Sequence, residues 1–570
     1  MRCHTLQPTL SACSRTAAGS VAGQIAVFDQ DIRCDDLEIG RSMSHNVGWH
    51  PDPAGAEPQP KCLLKNTYAC QILIFMTITS SGARQELLAA HQHIDAGETT
   101  FLEEVRRALR LPSFSDTGEG IEAAAEYFAE LLGRVCPDAE VVPTAGYPII
   151  LGTARSPKPS APTLIVYGLY DVTPTMAADW TVDPMGAEIV DARDLGLLPH
   201  LGAVVAGRGA NNHKGPVIAA ILAVEAMQRA GVELPVNLIF VIEGEEEIGS
   251  PSLPTFVEEH RALLLSADGI WLPCMQQNSA GVMTLRRGFK GSVFAQITCR
   301  GGQWGGPADG RHIWAGNSAW IDAPMMQLVR ALATMYDDEQ RVTIDGVGTV
   351  AEAASIRFAD DIATVEAGFR ENPMWATNML GNLHVERALG GKEIVDHVKN
   401  YMIGVNMNIQ GITGGYQGPT FYTALPGAAS ARVDFRFPPG LTPAEFVEAL
   451  RAHLDRRGYS HIEIDLPRGY AGAPPMPDDH DVLLDAGIVT AARYGVETAV
   501  WPIANNCCPA SLFTALGKQI PFSVAGIGHG DRAHAADEYF TVGSVEKLMH
   551  FTVDYLGDFA DGMARTEQRT

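Results

Sequence analysis

Basic residues are scarce in this 570-residue chain: 42 lysines and arginines stand against 67 aspartates and glutamates, for a formal net charge of −25. That deficit argues against a nucleic-acid partner, because neutralising phosphates needs a basic surface. Long apolar runs are missing as well. Nothing approaches the roughly 20 consecutive apolar residues of a membrane-spanning helix. The longest candidate, Cys70–Ile78 (CQILIFMTI), is too short and reads as a strand or as unordered chain. The opening stretch MRCHTLQPTLSACSRTAAGS lacks the apolar centre of an export signal. The ten cysteines are therefore expected as reduced thiols in a cytoplasmic protein, not as a disulfide framework.

What is present is the composition of a globular protein, 46% hydrophobic and 19% charged. The length exceeds what one hydrophobic core organises. Residues 1–75 carry five of the cysteines and no sustained periodicity, and are expected to be a poorly ordered extension; Met76 opens the stretch that leads to an amphipathic helix at Glu98–Leu111. From Pro112 to Cys274, helical patterns (GIEAAAEYFAELLGRV, PVIAAILAVEAMQRAG) alternate with apolar runs (PTLIVYG, VNLIFVIEGEEE). This alternation predicts a largely parallel sheet with helical crossovers. After Arg287 the pattern changes to strand–helix pairs: GSVFAQITCRG with SAWIDAPMMQLVRALATM, then ASARVDFRFPP with TPAEFVEALRAHLDRRG, followed by HIEIDLP. These predict a smaller α+β layer with an antiparallel sheet. The fold class expected is an α/β catalytic domain (86–285 and 475–562) interrupted by an inserted α+β lid or dimerisation domain (286–474).

Four stretches carry the chemistry. GLYDV places Asp171 just past an apolar strand, GRGANNHKGP spans Gly207–Pro216, EGEEEIGSP follows the strand NLIFVI, and GIGHGDRAHAADEYF holds His534. Each lies after a strand or before a helix, where the loops of an open α/β sheet converge on a ligand. An acidic run is usually a solvated face, and a lone histidine is usually structural. The combination, in this order, is what singles these residues out.

In that order the motifs resemble the co-catalytic metallohydrolase family of aminoacylase, carnosine dipeptidase and succinyl-diaminopimelate desuccinylase, over roughly Leu102 to Phe559. The resemblance implies a catalytic α/β domain, a lid that also dimerises, and two bridged metal ions that activate water for hydrolysis of an amide C–N bond. Carried over by position, it makes Asp171 the aspartate that orients a metal-binding histidine, Glu246 the general base, Glu247 and His534 metal ligands, and Arg436 a lid arginine that grips the substrate carboxylate. It also places GITGGY and TALP near the substrate. Four positions depart from the pattern. Leu169 stands for the first histidine, Asn212 for the bridging aspartate, Cys274 for the remaining aspartate (with Asp268 the fallback), and Arg300 for a lid histidine used across the dimer.

The departures favour one metal over two. Leu169 ligates nothing, whereas Glu247, His534 and the amide oxygen of Asn212 remain for the other site. Two dications about 3.5 Å apart repel by roughly 19 kcal/mol at an effective dielectric near 20, and a neutral Asn212 supplies no bridging charge. The expected cofactor is thus a single divalent ion, manganese or zinc, with open positions for water and substrate. His213 and His529 are possible extra ligands or plain loop residues; Cys274 is a thiolate ligand or, by default, an inert buried thiol.

The first reading of function is hydrolysis of a C–N bond in a small carboxylate-bearing substrate bound by Arg436 and Arg300. The bond is a dipeptide or N-acyl amide, or, by resemblance to a nitroanthranilate aminohydrolase branch, an aromatic amine. Trp304 and Tyr416 are then either ring-stacking residues or core. The family resemblance further implies a homodimer or larger homo-oligomer formed through the lid. A second class is a non-catalytic binding or assembly relative that kept the fold. A third, a ligase or transferase using Cys507 or Cys508, rests only on an adjacent cysteine pair.

Overall fold

The computed structural model describes residues 84–383, 385–473, 481–514, 516 and 520–569. The expected extension 1–75 and the Cys70–Ile78 run lie outside them. A six-stranded sheet runs in the order Glu140–Val142, Ile149–Ala154, Asn237–Glu243, Thr163–Leu169, Gly269–Pro273, Phe522–Ala525. The last four strands are mutually parallel and the first two are antiparallel, so the expected parallel core carries an antiparallel hairpin at one edge. The strand Thr163–Leu169 is buried along its whole length, as an apolar run covered on both faces should be.

The helix Lys214–Arg229 is apolar almost all round and correspondingly buried. It packs against the helices Arg84–Leu109 and Ser544–Arg569 in one contiguous core. Gly168 permits its close approach to the central strand. A Cβ at that position would stand 2.6 Å from Cγ2 of Val217, inside any tolerable contact.

A second sheet is inserted in sequence between Gly269–Pro273 and Phe522–Ala525. Four of its five strands are antiparallel, in the order Asn406–Gly414, Ala428–Phe437, Phe289–Arg300, Ile462–Arg468, and Ala504–Cys507 adds a parallel pairing to Phe289–Arg300. Helices Pro324–Ala333 and Pro443–Arg456 contribute to the core of this layer. The first starts later than its apolar pattern suggests, at Pro324, because proline lacks the N–H that a helix interior needs but fits the first turn. Thr442 and Glu445 cap the second reciprocally. Four helices that the sequence pattern left unread, Gly348–Arg357, Ala359–Glu371, Pro373–Asn382 and Val395–Ile403, form a separate cluster that packs on Trp501 and Ile503.

A third, four-stranded antiparallel sheet joins distant parts of the chain, pairing Ala203–Ala206 with both Glu188–Asp191 and Tyr539–Thr541, and the latter with Gly530–Asp531. Among the described residues no helix is long and apolar enough to cross a membrane.

Replacing Gly168 by valine should overpack the helix–strand contact and destabilise the protein by about 1–3 kcal/mol. Denaturant unfolding checks this, and an unchanged midpoint would mean that Val217 yields at no cost.

Candidate active site

The parallel strands end on one side of the sheet, and the loops that follow them build the site. Asp171, two residues beyond Leu169, is fully buried. Its carboxylate accepts the backbone N–H of Glu246 at 3.3 Å and of Glu247 at 3.0 Å. The aspartate thus fixes the short 3₁₀ turn Glu246–Ile248 that follows the neighbouring strand. Burial, and then the charge of Glu247, raise its pKa above the usual carboxylate range.

Three side chains meet beside that turn. Asn212 Nδ2 lies 2.5 Å from Glu247 Oε1 and 2.9 Å from His534 Nε2, and His534 Nε2 lies 3.1 Å from Glu247 Oε2. His534 sits in the left-handed region at φ 65°, a conformation that costs a non-glycine residue energy and is kept where the surroundings impose it. The charge of Glu247 raises the pKa of His534.

Glu538 is what delivers Asn212 to this place. Fully buried, it accepts the backbone N–H groups of Asn211 at 2.8 Å and Asn212 at 2.7 Å through one oxygen. Its other oxygen takes Gly209 N at 3.1 Å and Arg208 Nη1 at 2.8 Å. Sequence reasoning quoted the motif around Glu538 and passed the residue over. An acid between Asp537 and two aromatics carries no local sign that it will be buried.

These groups open into a cavity of about 760 Å³ that is lined by Glu246, Glu247, Asn212 and His534 on one side, and by Arg436 and Tyr470 from the inserted layer on the other. Tyr470, also unforeseen, points its hydroxyl at Glu246 Oε1 over 3.5 Å. Burial first, then the charges of Glu247, Asp171 and Glu243, hold the Glu246 carboxyl well above its ordinary range, with Arg436 opposing. Arg436 Nη1 is 3.8 Å from Cys507 Sγ, and its Nε is 3.7 Å from Asp434. Behind it Lys290 is buried and donates to Gly404 O and Asn406 Oδ1. Burial lowers the pKa of this lysine to about 7.

The remaining candidates separate clearly. Cys274 lines the cavity and accepts Gln276 Nε2 at 2.8 Å, and burial raises its thiol pKa. Asp268 lies at the opposite end of its strand, accepting the N–H of Thr163 at 2.9 Å, and cannot reach the cavity as a fallback ligand. His213 is buried with Nε2 bonded to the carbonyl of Pro273. His529 uses Nδ1 on Gln277 O and Nε2 on the Tyr539 hydroxyl, which leaves neither ring nitrogen for a ligand role.

Arg300, expected in place of a lid histidine used across the dimer, is not among the residues that line this chain's own cavity. It is exposed and pairs with Glu463 at 3.2 Å, at the end of a strand whose side faces solvent there. Trp304 stacks on His461 at 4.1 Å within the inserted layer, and Tyr416 is exposed against Tyr422; neither lines the cavity. Burial pushes the Cys507 thiol up to about 11 and raises that of Cys508 well above the ordinary thiol range, which disfavours either as a thiolate nucleophile near neutral pH.

The donor set at Glu247, His534 and Asn212 fits one divalent cation: a carboxylate, an imidazole nitrogen and an amide lie within ligand-to-ligand distance of one another. A half-turn of the Asn212 amide exchanges Nδ2 for the ligating Oδ1. The neighbouring position is chemically different. Leu169 is buried and apolar, and the Cys274 sulfur accepts Gln276 Nε2, with burial raising the thiol pKa.

Glu538→Ala should destabilise the fold by about 3–5 kcal/mol, the cost of stranding the buried Arg208 guanidinium. It should also weaken metal binding by freeing the loop that carries Asn212. Urea unfolding and a metal titration of the same variant check the two effects together.

A model of peptidase family M20/M25/M40 matches residues 166–558. Among curated proteins, the chain is 26% identical over 369 residues to mouse Beta-Ala-His dipeptidase, covering 61% of this chain and 64% of the relative. It is 23% identical over 394 residues to the Cys-Gly metallodipeptidase DUG1 of Saccharomyces cerevisiae, covering 65% and 76% respectively. The chain thus spans under two thirds of the length of the mouse relative. Among solved structures, the M20 family metallo-carboxypeptidase Sso-CP2 of Sulfolobus solfataricus superposes with a TM-score of 0.69 at 24% identity, over 81% of this chain and 99% of that one. An α/β sheet with an inserted α+β layer, loops converging past the parallel strand ends, and a match across more than half the sequence lead to one assignment: the chain belongs to peptidase family M20/M25/M40.

Proposed function

We propose that the protein is a metal-dependent hydrolase that cleaves the C–N bond of a dipeptide or N-acyl amino acid, with a single divalent ion, manganese or zinc, held by Glu247, His534 and Asn212. The observation that carries this reading is the convergence of those three side chains within 2.5–3.1 Å, beside Glu246 and in the same cavity as Arg436. The dipeptidase names of the relatives support an amide bond over an aromatic amine.

A bound divalent ion supplies Lewis acidity, which lowers the pKa of water and polarises a carbonyl. The chain's own residues do the rest. The Arg436 guanidinium pairs with the substrate carboxylate and sets which carbonyl faces Glu246. Glu246 takes a proton as a water oxygen bonds to the carbonyl carbon, and returns it to the nitrogen as the C–N bond breaks, leaving a carboxylic acid and an amine. Tyr470, through its hydroxyl, and Asp171, through the backbone of the turn, hold Glu246 in place and act as positioning residues.

Glu246→Gln should keep about one equivalent of metal per chain while turnover of a dipeptide panel falls by roughly 10²–10⁴-fold. Metal analysis and steady-state kinetics on protein purified without added chelator check this. Two equivalents would overturn the single-ion reading. Metal retained with no turnover by the unaltered protein would favour the non-catalytic relative.

A further inference from the structure

Arg286 is a second guanidinium in the same cavity, and nothing so far accounts for it. It is half-buried, ends the short strand Met283–Arg286, and donates to Gln276 Oε1. That partner is neutral, and among the described residues Arg286 forms no ion pair. The adjacent Arg287, by contrast, faces Asp361 at 3.6 Å. Gln276 in turn donates to the Cys274 sulfur, so the Cys274–Gln276–Arg286 corner contains no carboxylate.

The wall around that corner is aromatic. Trp501, register partner of Arg286, contacts Phe369 at 6.3 Å and Tyr401 at 5.9 Å between ring centroids, and Phe369 contacts Trp375 at 5.6 Å. All four rings line the cavity, and Phe369, Trp375 and Tyr401 come from the helical segment between Ala359 and Ile403. A charge set against such a wall is poorly hydrated. An ion in that position is costly until an opposite charge reaches it.

Arg436 is not that group's duplicate, because the two guanidinia have different partners. Arg436 sits with Cys507, Asp434 and Glu246, whereas Arg286 sits with Gln276, Cys274 and Tyr401. Given the proposed hydrolase reading, Arg436 engages the terminal carboxylate, and the other half of the substrate extends toward the free guanidinium. We propose that Arg286 is a specificity-determining residue that binds a carboxylate on the amino-side half of the substrate, so that the preferred substrates are acidic dipeptides or acyl amino acids carrying two carboxylates. The aromatic wall excludes water from that pair and rejects a hydrated cationic side chain.

The test compares glutamyl-glycine with its neutral isostere glutaminyl-glycine. Binding is measured by calorimetry on the metal-loaded Glu246→Gln protein, and kcat/KM on the unaltered one. The acidic member should be favoured by roughly 10- to 100-fold, the worth of one charge-assisted hydrogen-bonded pair. That ratio should fall to near one with Arg286→Gln added, and be partly restored with Arg286→Lys, which also serves if the glutamine variant fails to fold. A ratio near one in the unaltered site, a ratio that survives Arg286→Gln, or no binding of either dipeptide would each overturn the proposal. An Arg286-dependent binding ratio without turnover would overturn the hydrolase reading alone and leave the acidic-ligand site standing.

Discussion

The site depends on one buried carboxylate. Glu538 gathers three backbone N–H groups and the Arg208 guanidinium onto its two oxygens, with no exposure to water. A carboxylate so placed is tolerable only because every lone pair is used. The same bonds fix the loop between the strand Ala203–Ala206 and the helix Lys214–Arg229. They therefore set where Asn212 stands relative to Glu247 and His534. Asp171 repeats the device on the other side, holding the turn of Glu246 and Glu247 by its backbone. Two buried acids, neither of them facing the cavity, determine the geometry of the acids that do.

Around that frame the charge balance explains the departures from the family pattern. A two-ion centre needs a bridging negative charge and ligands on both flanks. Here Asn212 is neutral, Leu169 is apolar and Cys274 carries a thiol where a carboxylate is expected, so under the proposed single-ion reading one flank is electrically silent. The other flank keeps a carboxylate, an imidazole and an amide in contact. On the silent side the cavity presents Arg286, a cation fixed in the chain, together with a wall of aromatic rings. The two changes are physically compatible, because a guanidinium that already has a fixed positive charge would be repelled by a second bound dication.

Much of the fold was legible in local pattern. The apolar strand before Asp171, the strand before the glutamate pair, and the helices Ile121–Gly133, Lys214–Arg229 and Pro443–Arg456 all appear where periodicity puts them, within a few residues. The four helices between Gly348 and Ile403 were missed: the amphipathic pattern of Gly348–Arg357 and Pro373–Asn382 is weak, and apolar residues of the group pack on Trp501 and Ile503, far along the chain. The exposed end of the strand at Arg300 illustrates a related constraint. Whether a residue at a strand end faces the cavity or solvent depends on the sheet's pairing and twist, which alternation alone does not reveal.

The sequence by itself determined the chemical inventory: which side chains can ligate, which can act as base, and that Leu169 removes one ligand. Those are properties of residue type and short spacing. Only the tertiary structure decided which of them meet. Asn212 and His534 are 322 positions apart and touch because Ala203–Ala206 pairs with Tyr539–Thr541 in a small antiparallel sheet. Tyr470 and Arg436 reach Glu246's cavity because the inserted layer lies over the strand ends, and among the described residues Arg286 forms no ion pair and donates to the neutral Gln276. Contacts of that kind are fixed by sheet pairing and packing over long chain separations, and no local window of the sequence contains them.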